Sequence, residues 1–489
     1  MGHTILHRWL RTGFARTLTE SRRHVVGLRV ASRIFHIIPL AIMICSLCAQ
    51  VPLPRAPGVH VVTITPPGQT SSEPSIAVNP NNPNQVVGVA ERWAAYSTDG
   101  GLTFTPVLPA GEDGRAGGDG SLAFDDKGNV FLSFLSIQKN GLPGYWGHGA
   151  GANGIWVRRS PDGGKTWDKE PVAVKAWNGD EPQIWLEDMP RIWSDTQPDS
   201  PYRGNLYMAW IEWQLTQSIV LFSRSTDAGQ TWSTAQRIST KAGWPRDDNG
   251  AVVGIIGTVA PDGTQHVVWN EGLNVTLAAS RDGGKTFEPS RPIFDVGAPY
   301  FGGATTIPGV SRAMGFPQIG LDGERGTLYV TWSDFRNGDV DVFISRSEDH
   351  GRTWTPLMRV NDDPVHSGAD QFFQWMAVDP KDGSVYVQFY DRRDDPENRK
   401  TRVTLARSID GGKTFTNYAW SDEPFTGQNA FLGDYEWVTA YNGRVYGIWA
   451  EAAPEGYPVA ARPGARPTSG RQWTPTIIKV GTAQFSLRR

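Results

Sequence analysis

The sequence predicts an all-β fold, a seven-bladed β-propeller, and three observations support this prediction. First, an eight-residue pattern, Ser-x-Asp-x-Gly-x-Thr followed by an aromatic residue, occurs six times along the 489-residue chain. Second, the copies separate repeat units in which short apolar segments alternate with turns, as expected for a radially repeated sheet. Third, 55 glycines and 35 prolines interrupt the chain, and no helical period of useful length follows residue 60. A repeat of this length is typical of propellers and related folds.

The repeated octapeptide has the chemistry of a tight hairpin turn. Its copies are spaced by 63, 65, 55, 67 and 61 residues and begin at Ser97, Ser160, Ser225, Ser280, Ser347 and Ser408. Serine and aspartate side chains can hydrogen-bond to nearby backbone groups, and glycine supplies positive φ. The closing tryptophan or phenylalanine can fold under the turn as an apolar plug. We therefore expect these residues to be structural and not catalytic.

Seven units follow one another along the chain. They open at Glu73, Asp119, Asp188, near Asp247, and at Gly315, Asp370 and Gly433. Each unit contains an apolar strand, a turn and a second apolar strand, and the seventh ends in a shortened, degenerate copy of the octapeptide at 468–473. An isolated strand at 60–65 is expected to pair with the last unit, because an open ring would leave an unpaired edge. We predict a single propeller domain over residues 60–489.

Residues 1–49 differ in kind from the rest of the chain. They contain seven Arg and one Glu and end in an apolar segment between Ile34 and Ala49. This pattern predicts an export signal, with an uncleaved N-terminal anchor as the alternative. A Pro-rich linker at 50–59 then leads into the propeller.

Charge and cysteine content narrow the class of protein. Removing the seven Arg and one Glu of the leader from the 47 basic and 50 acidic residues leaves a net charge near −9. Such a surface disfavours nucleic acid as a partner. Both cysteines, Cys45 and Cys48, lie in the leader, so the mature protein has no disulfide. We expect a bacterial protein, periplasmic or extracellular, that is a monomer and contacts the membrane only through its signal.

The octapeptide resembles the Asp box, or bacterial neuraminidase repeat, of the sialidase superfamily. In that family the box caps the turn between the third and fourth strands of a blade, on the face opposite the substrate site. The resemblance implies that the substrate site of this chain lies where the residues before each first strand and after each second strand meet. Familiar sialidases have six blades, so six is the alternative to seven.

Charged residues recur where the second strand of a unit ends. Carboxylates can act as an acid and base pair, and Arg can bind an anionic substrate through bidentate hydrogen bonds. The candidate catalytic residues from this recurrence are Asp391, Asp334 and Glu212. The candidate substrate-binding residues are Arg336, Arg392, Arg393 and Arg92, with Trp213 as a side chain that could stack on a sugar.

The resemblance adds two candidates and one departure. Sialidases use three arginines on the substrate carboxylate, a Tyr nucleophile activated by Glu, and an Asp acid/base. In this chain Arg191 lies at the start of a first strand. Tyr435 is the tyrosine best placed at the implied substrate site, with Glu212 or Glu271 as an activating acid. The Arg-Ile-Pro opening of the sialidase first blade is absent, since that position reads Glu73-Pro74-Ser75-Ile76.

The leading functional prediction is an exported sialidase-like glycoside hydrolase that acts on an acidic carbohydrate. A non-catalytic propeller that binds glycans or proteins is one alternative, favoured by the missing arginine motif. A polysaccharide lyase is another, because His148 or Tyr435 could serve as its base. No metal-ligand spacing stands out and no cofactor is expected, although the acidic runs at 361–363 and 391–397 keep Ca²⁺ as an alternative.

Overall fold

The computed structural model describes residues 52–91, 93–107, 116–139, 150–181, 184–246, 250–297, 307–310, 312–427, 430–458 and 474–488. These residues form seven antiparallel sheets in chain order, so the fold is the seven-bladed β-propeller that the sequence predicts. Within this part of the chain, no helix has the length and apolar character needed to cross a membrane. The predicted base His148 and the degenerate octapeptide at 468–473 lie outside the described residues.

Each blade consists of strands that lie side by side in chain order, except that β1 (His60–Thr63) belongs to the last blade. Blade 1 contains β2 (Pro74–Asn79), β3 (Asn82–Ala90), β4 (Trp93–Ser97) and β5 (Thr105–Val107). Blade 2 contains β6 (Ala116–Phe124), β7 (Val130–Lys139), β8 (Ala150–Ser160) and β9 (Val172–Trp177). Blade 3 contains β10 (Leu186–Ser194), β11 (Leu206–Trp213), β12 (Ser218–Ser225) and β13 (Gln236–Arg237).

The other four blades repeat this arrangement. Blade 4 contains β14 (Val252–Val259), β15 (Gln265–Glu271), β16 (Asn274–Ser280) and β17 (Arg291–Asp295). Blade 5 contains β18 (Gln318–Asp322), β19 (Thr327–Asp334), β20 (Asp341–Ser347) and β21 (Met358–Arg359). Blade 6 contains β22 (Gln371–Val378), β23 (Val385–Asp391), β24 (Lys400–Ser408), β25 (Thr416–Ala419) and the short β26 (Phe425–Thr426). Blade 7 contains β27 (Trp437–Tyr441), β28 (Arg444–Ala452), β29 (Thr476–Gln484) and β1.

The first strands of the blades surround the propeller axis. In order around the ring, the strands in contact are β2, β6, β10, β14, β18, β22 and β27, and β27 again contacts β2. These strands line an axial cavity of about 340 Å³. Because the ring is closed, each first strand is buried between the first strands of the two neighbouring blades, and the seven sheets form one continuous ring.

The ring closes through the N-terminal strand. β1 pairs antiparallel with β29, from His60 opposite Thr482 to Thr63 opposite Lys479. Beyond β1, the Ile64 backbone N–H donates to the Ile478 carbonyl at 2.9 Å. The closure predicted for the strand at 60–65 is therefore confirmed.

Residues of the Pro-rich segment before β1 also contact the propeller. The Ala419 backbone N–H donates to the Pro54 carbonyl at 2.9 Å, and the Ala56 N–H donates to the Ala419 carbonyl at 3.2 Å. The Gln484 N–H donates to the Pro57 carbonyl at 2.8 Å. This segment therefore joins blade 6 to blade 7 next to the closing strand.

The six octapeptides form the same hydrogen-bonded turn. In the copy at Ser160, the serine hydroxyl donates to Asp162 Oδ1 at 2.9 Å and accepts from the Gly164 N–H at 2.8 Å. Asp162 also accepts from the Thr166 backbone N–H at 2.9 Å and from its hydroxyl at 2.6 Å. The five other copies repeat all four bonds. The predicted hairpin chemistry is confirmed.

The glycine of each turn also allows its blade to pack closely against the preceding blade. Gly164 has a φ of 91°, and a Cβ atom there would lie 2.7 Å from the Val87 side chain of blade 1. Gly284 of blade 4 would in the same way meet the Phe222 ring of blade 3 at 2.7 Å. A larger residue would therefore be strained and would push the blades apart.

Because of the aspartates in these turns, the protein is expected to lose stability in acid. Although burial opposes it, hydrogen bonds from Thr and Ser lower the pKa of Asp99, Asp282 and Asp410 to about 2. The stabilisation is complete above the unfolded pKa of about 3.9 and is lost as pH falls through the folded value. We expect the melting temperature of the wild type to drop between about pH 4 and pH 2. This drop should be smaller in Asp162→Asn than in the control variant Asp199→Asn, which changes an exposed aspartate. Equal melting temperatures for the wild type at pH 4 and pH 2 would contradict this.

Candidate functional site

The starts of the first strands are distorted. Pairing between the first and second strands shifts register near this end in blades 2, 3, 4 and 6. Four residues with side chains have positive φ here: Glu73 at 55°, Asp119 at 51°, Met189 at 52° and Phe373 at 51°. This conformation is costly for a residue with a Cβ atom, and a bulge redirects side chains. Such strain often accompanies function, so this end of the axis is a candidate site.

The candidate site lies on the face opposite the repeated turns. Strands alternate in direction within a blade, so the first and third strands end at the same face, and the turns follow the third strands. The starts of the first strands therefore lie at the other face, together with the ends of the second strands. Six charged or phenolic residues in or shortly before the first strands form what we call the axial cluster: Glu73, Asp119, Arg191, Arg312, Asp434 and Tyr435.

Tyr435 and Asp119 form the centre of the axial cluster. The Tyr435 hydroxyl donates to Asp119 Oδ1 at 3.0 Å, although the two residues are 316 positions apart in the sequence. The guanidinium carbon of Arg191 lies 4.0 Å from the centre of the Tyr435 ring and 5.8 Å from that of Trp437. A cation at this distance from an aromatic face is attracted to it. Arg191 and Asp119 therefore hold the phenol in one orientation.

The Arg191 guanidinium has a hydrogen-bond donor that is not used within the described residues. Its side chain is buried, and Nη1 donates to the Pro190 carbonyl at 3.1 Å. Nη2 is buried too and has no hydrogen-bond partner among the described residues. A buried donor without an acceptor costs roughly 1 to 3 kcal/mol. An anionic ligand group would supply the missing acceptor.

Two further carboxylates, from the segments before β2 and before β27, adjoin this centre. Arg312 donates two hydrogen bonds to Asp434, one of them from Nε to Oδ1 at 2.5 Å. The Nη2 atom of Arg312 also lies 4.0 Å from Glu73 Oε1. Ser72 donates to Glu91 Oε1 at 3.1 Å beside them. The axial cluster thus combines three acids and two arginines, and Glu91 borders it.

Burial sets the protonation of two members of the cluster. Burial, and then the charges of Asp119 and Asp434, raise the pKa of Glu73 well above its usual value, against the opposing charge of Arg312. Burial and the charge of Asp119 also raise the pKa of Tyr435, against the charge of Arg191. An acid that keeps its proton can donate it to a leaving group, and a phenol beside a carboxylate can become a nucleophile.

Two of the predicted site residues, Tyr435 and Arg191, belong to the axial cluster. Glu73, Asp119 and Asp434 are not among the residues predicted from the sequence, although they lie near or just before the starts of first strands, where the resemblance implies the substrate site. That position in the repeat was the signal that could have found them. Arg312 carries no such signal, since it lies in the irregular segment before β18.

Asp334 and Arg336 form a local ion pair in blade 5. Asp334 is fully buried, and its Oδ2 accepts from Trp332 Nε1 and from the Gly297 N–H, both at 2.9 Å. Arg336 Nε donates to Asp334 Oδ1 at 2.8 Å. Both carboxylate oxygens are therefore occupied by neighbours in the chain or in blade 4.

Asp391 and Arg393 form a similar pair in blade 6. Arg393 Nε donates to Asp391 Oδ2 at 2.6 Å, and the Thr404 hydroxyl donates to the same oxygen at 2.8 Å. Arg392 is buried and donates to Thr401 Oγ1 at 3.1 Å and to the Asn398 carbonyl at 2.6 Å. Arg392 Nη1 also donates to the Pro308 carbonyl at 2.9 Å, and Arg393 Nη1 donates to Asp362, so the two arginines also join blade 6 to the segments before β18 and after β21.

Glu212 and Trp213 lie at the end of β11 in blade 3. Glu212 is opposite Glu187 in the strand pair and accepts from Gln214 Nε2 at 2.6 Å. Trp213 is buried, and its Nε1 donates to Asp188 Oδ2 at 2.9 Å. None of these contacts, nor those of Asp334, Arg336, Asp391, Arg392 and Arg393, is with the axial cluster, so the roles predicted for these residues stay predictions. Arg92 lies outside the described residues.

No metal centre is evident in the described part of the chain, where no three His, Cys, Asp or Glu side chains are grouped to hold an ion. In the acidic run at 361–363, Asp363 pairs with Arg359 at 2.9 Å. In the run at 391–397, Asp395 accepts from the backbone of Arg399 at 2.7 Å and of Lys400 at 2.6 Å. These carboxylates are therefore engaged in protein contacts.

Searches with family models and with curated proteins return no match for this chain. Among solved structures, similarity extends to a Hadza microbial sialidase, 16% identical with a TM-score of 0.40, covering 85% of this chain and 66% of the sialidase. A protein of unknown function from Dyadobacter fermentans is 13% identical with a TM-score of 0.46, covering 88% of this chain and 100% of that one.

The α-L-arabinofuranosidase of Fusarium graminearum is also similar, at 12% identity and a TM-score of 0.45, with 75% of this chain and 92% of the enzyme covered. At such identities and scores, the activity of this chain has to be argued from its own residues.

Proposed function

We propose that this protein is an exported glycoside hydrolase of the sialidase type that acts on a carbohydrate carrying a carboxylate. The main support is the hydrogen bond from Tyr435 to Asp119 at the propeller axis, with Arg191 over the phenol ring. The Asp-box resemblance of the six octapeptides supports the same class of enzyme. Export is proposed from the character of residues 1–49, and a monomer is proposed because the propeller closes on itself.

In the proposed reaction Tyr435 is the nucleophile and Asp119 is its base. The phenolic oxygen attacks the anomeric carbon while its proton passes to Asp119 along their hydrogen bond. Glu73, which keeps its proton because its pKa is raised, protonates the departing glycosidic oxygen as the bond to it breaks. A glycosyl group bound to Tyr435 results.

Water completes the reaction. Glu73, now ionised, takes a proton from the water whose oxygen attacks the anomeric carbon. The bond to Tyr435 breaks, and the phenolic oxygen recovers its proton from Asp119. Two successive displacements retain the anomeric configuration.

Arg191 is the proposed ligand of the substrate carboxylate. Its Nη2 has no hydrogen-bond partner among the described residues. The other arginine of the cluster, Arg312, already binds Asp434. A charge-assisted bond between Arg191 and a carboxylate would favour an acidic sugar over a neutral one.

The function is tested with a panel of aryl glycosides that includes sialosides and uronides as acidic substrates, and arabinosides and galactosides as neutral ones. We expect hydrolysis of an acidic member with retention of configuration. Hydrolysis of neutral members alone would contradict the acidic substrate. Binding of an acidic glycan without turnover would favour the alternative, a glycan-binding propeller.

The role of Glu73 predicts a pH dependence. A general acid must be protonated, so kcat/KM should be high below the raised pKa of Glu73 and fall as pH rises through it. Glu73→Gln should lower kcat by about 10²- to 10⁴-fold and remove this fall.

The matched control for Glu73 is Glu436→Gln. Glu436 is also a buried acid whose pKa burial raises, but its hydrogen bond comes from Gln388 in blade 6. This variant should keep both kcat and the high-pH fall. If the fall persists in Glu73→Gln, another group is the acid.

A further inference from the structure

A second pocket lies on the face of the repeated turns, between blades 5 and 6. It has a volume of about 390 Å³ and receives side chains from three parts of the chain. Arg325 comes from the turn between β18 and β19, Lys413 from the octapeptide of blade 6, and Arg488 from the segment after β29. This pocket is at the opposite end of the blades from the axial cluster, so the proposed hydrolysis does not use it.

The pocket is rich in positive charge. Four of its lining residues are basic, Arg325, Arg346, Lys413 and Arg488, and two are acidic, Glu348 and Asp410. The Asp410 carboxylate is occupied by its own turn, where it accepts from Ser408, Lys413 and Thr414. Glu348 is 73% exposed and lies 3.5 Å from Arg346. Arg325 is also engaged, since its Nη1 donates to Asp322 Oδ2 at 2.6 Å. The basic side chains of the pocket that have no carboxylate partner among the described residues are therefore Lys413 and Arg488.

Tyr329 supplies a neutral donor to the same pocket. Gly411 approaches it closely, since a Cβ atom there would be 3.6 Å from the Tyr329 hydroxyl oxygen. Burial and the charge of Asp322 raise the pKa of Tyr329 to about 12, while Arg325, Arg346 and Arg488 oppose that rise. Three guanidinium groups therefore lie near a hydroxyl that keeps its proton, and both kinds of group donate to oxyanions.

A more apolar cavity adjoins this pocket. It has a volume of about 340 Å³ and shares Tyr329 and Arg346 with the charged pocket. Its other lining residues include Ile344, Leu357 and Met358. The two cavities together would accommodate an anionic group and an apolar or ring-shaped group attached to it.

We propose that this pocket binds a tetrahedral oxyanion, a phosphate or sulfate group, carried by a small molecule whose organic part occupies the adjoining cavity. Arginine and lysine bind both anions through charge-assisted hydrogen bonds. The organic part contacts Leu357 and Met358.

The test measures binding of inorganic phosphate, inorganic sulfate, phenyl phosphate and phenyl sulfate by calorimetry, at constant ionic strength set with chloride. We expect saturable binding of at least one anion, with the phenyl ester tighter than the bare ion. The difference in affinity between the phosphate and the sulfate compounds shows which of the two oxyanions the pocket binds. The double variant Arg346→Ala/Lys413→Ala should weaken binding about tenfold or more.

The matched control is Arg224→Ala/Lys285→Ala. Arg224 precedes the octapeptide of blade 3 as Arg346 precedes that of blade 5, and Lys285 occupies in blade 4 the position of Lys413 in blade 6. This variant should bind as the wild type does. Absence of saturable binding to the wild type, or equal loss in both double variants, would overturn the proposal, and equal affinity for bare ion and phenyl ester would overturn the role of the apolar cavity.

Discussion

Replacing Tyr435 with phenylalanine should lower kcat by at least about a thousandfold on the acidic substrate, because the proposed nucleophile is removed. The ring remains, so its contact with the Arg191 guanidinium 4.0 Å away should also remain. Substrate affinity should therefore change much less than turnover. The measurement is kcat and KM from initial rates, together with direct binding of a non-hydrolysable acidic glycan.

Stability provides the check that the loss is chemical. Tyr435→Phe deprives Asp119 of a hydrogen bond at 3.0 Å, which corresponds to about 1 to 3 kcal/mol for a buried acceptor. A fold of this size should tolerate that loss at the assay temperature. The matched control is Tyr386→Phe, a fully buried tyrosine of β23 in blade 6, which should keep normal kcat. Turnover above about a tenth of the wild type in Tyr435→Phe would exclude this residue as the nucleophile.

A chain that begins at Pro67 should melt at least about 5 °C below one that begins at Val51, because it lacks the closing strand. This truncation removes the four residue pairs between β1 and β29 and the buried side chains of Ala56 and Ile64. It also exposes the edge of β29, which can then pair with another chain. Thermal unfolding followed by circular dichroism, with light scattering to detect aggregation, measures both effects.

A single substitution keeps this prediction testable if the truncated chain does not fold. Ile64 is 5% exposed, so Ile64→Ala should cost about 2 to 5 kcal/mol. Val61, in β1 itself, is only partly buried, and Val61→Ala should cost less. Unchanged melting of both the truncated chain and Ile64→Ala would show that the ring does not depend on β1.

The turns were predictable from the sequence because their chemistry is local. Every hydrogen bond that Asp162 makes in its turn joins residues two to four positions apart. The order Ser, Asp, Gly and Thr therefore specifies the turn without help from the rest of the chain. The regular spacing of six such turns indicates six units, the apolar strands after Gly433 add the seventh, and the strand at 60–65 supplies the closure.

The recurring acids at the ends of the second strands also have a structural explanation. Asp334 accepts from the indole of Trp332, two residues earlier on the same side of its strand. Glu451 accepts from Trp449 Nε1 at 2.7 Å in the same way. A tryptophan followed two positions later by an acid is thus a structural pair that recurs with the blade. Recurrence alone cannot distinguish such a pair from a catalytic group.

The sequence by itself determined the all-β class, the repeat and its turns, because these depend on local hydrogen bonds and on the period of the repeat, and it favoured seven units over six. The face expected for the site followed only from the resemblance to the Asp box. Only the tertiary structure decided which residues meet at the axis. Tyr435 reaches Asp119 across 316 positions, and Arg312 reaches Asp434 across 122. The raised pKa of Glu73 likewise follows from burial and from the charges of Asp119 and Asp434. Such contacts exist only once the ring has closed, since closure brings blades 1, 2 and 7 together.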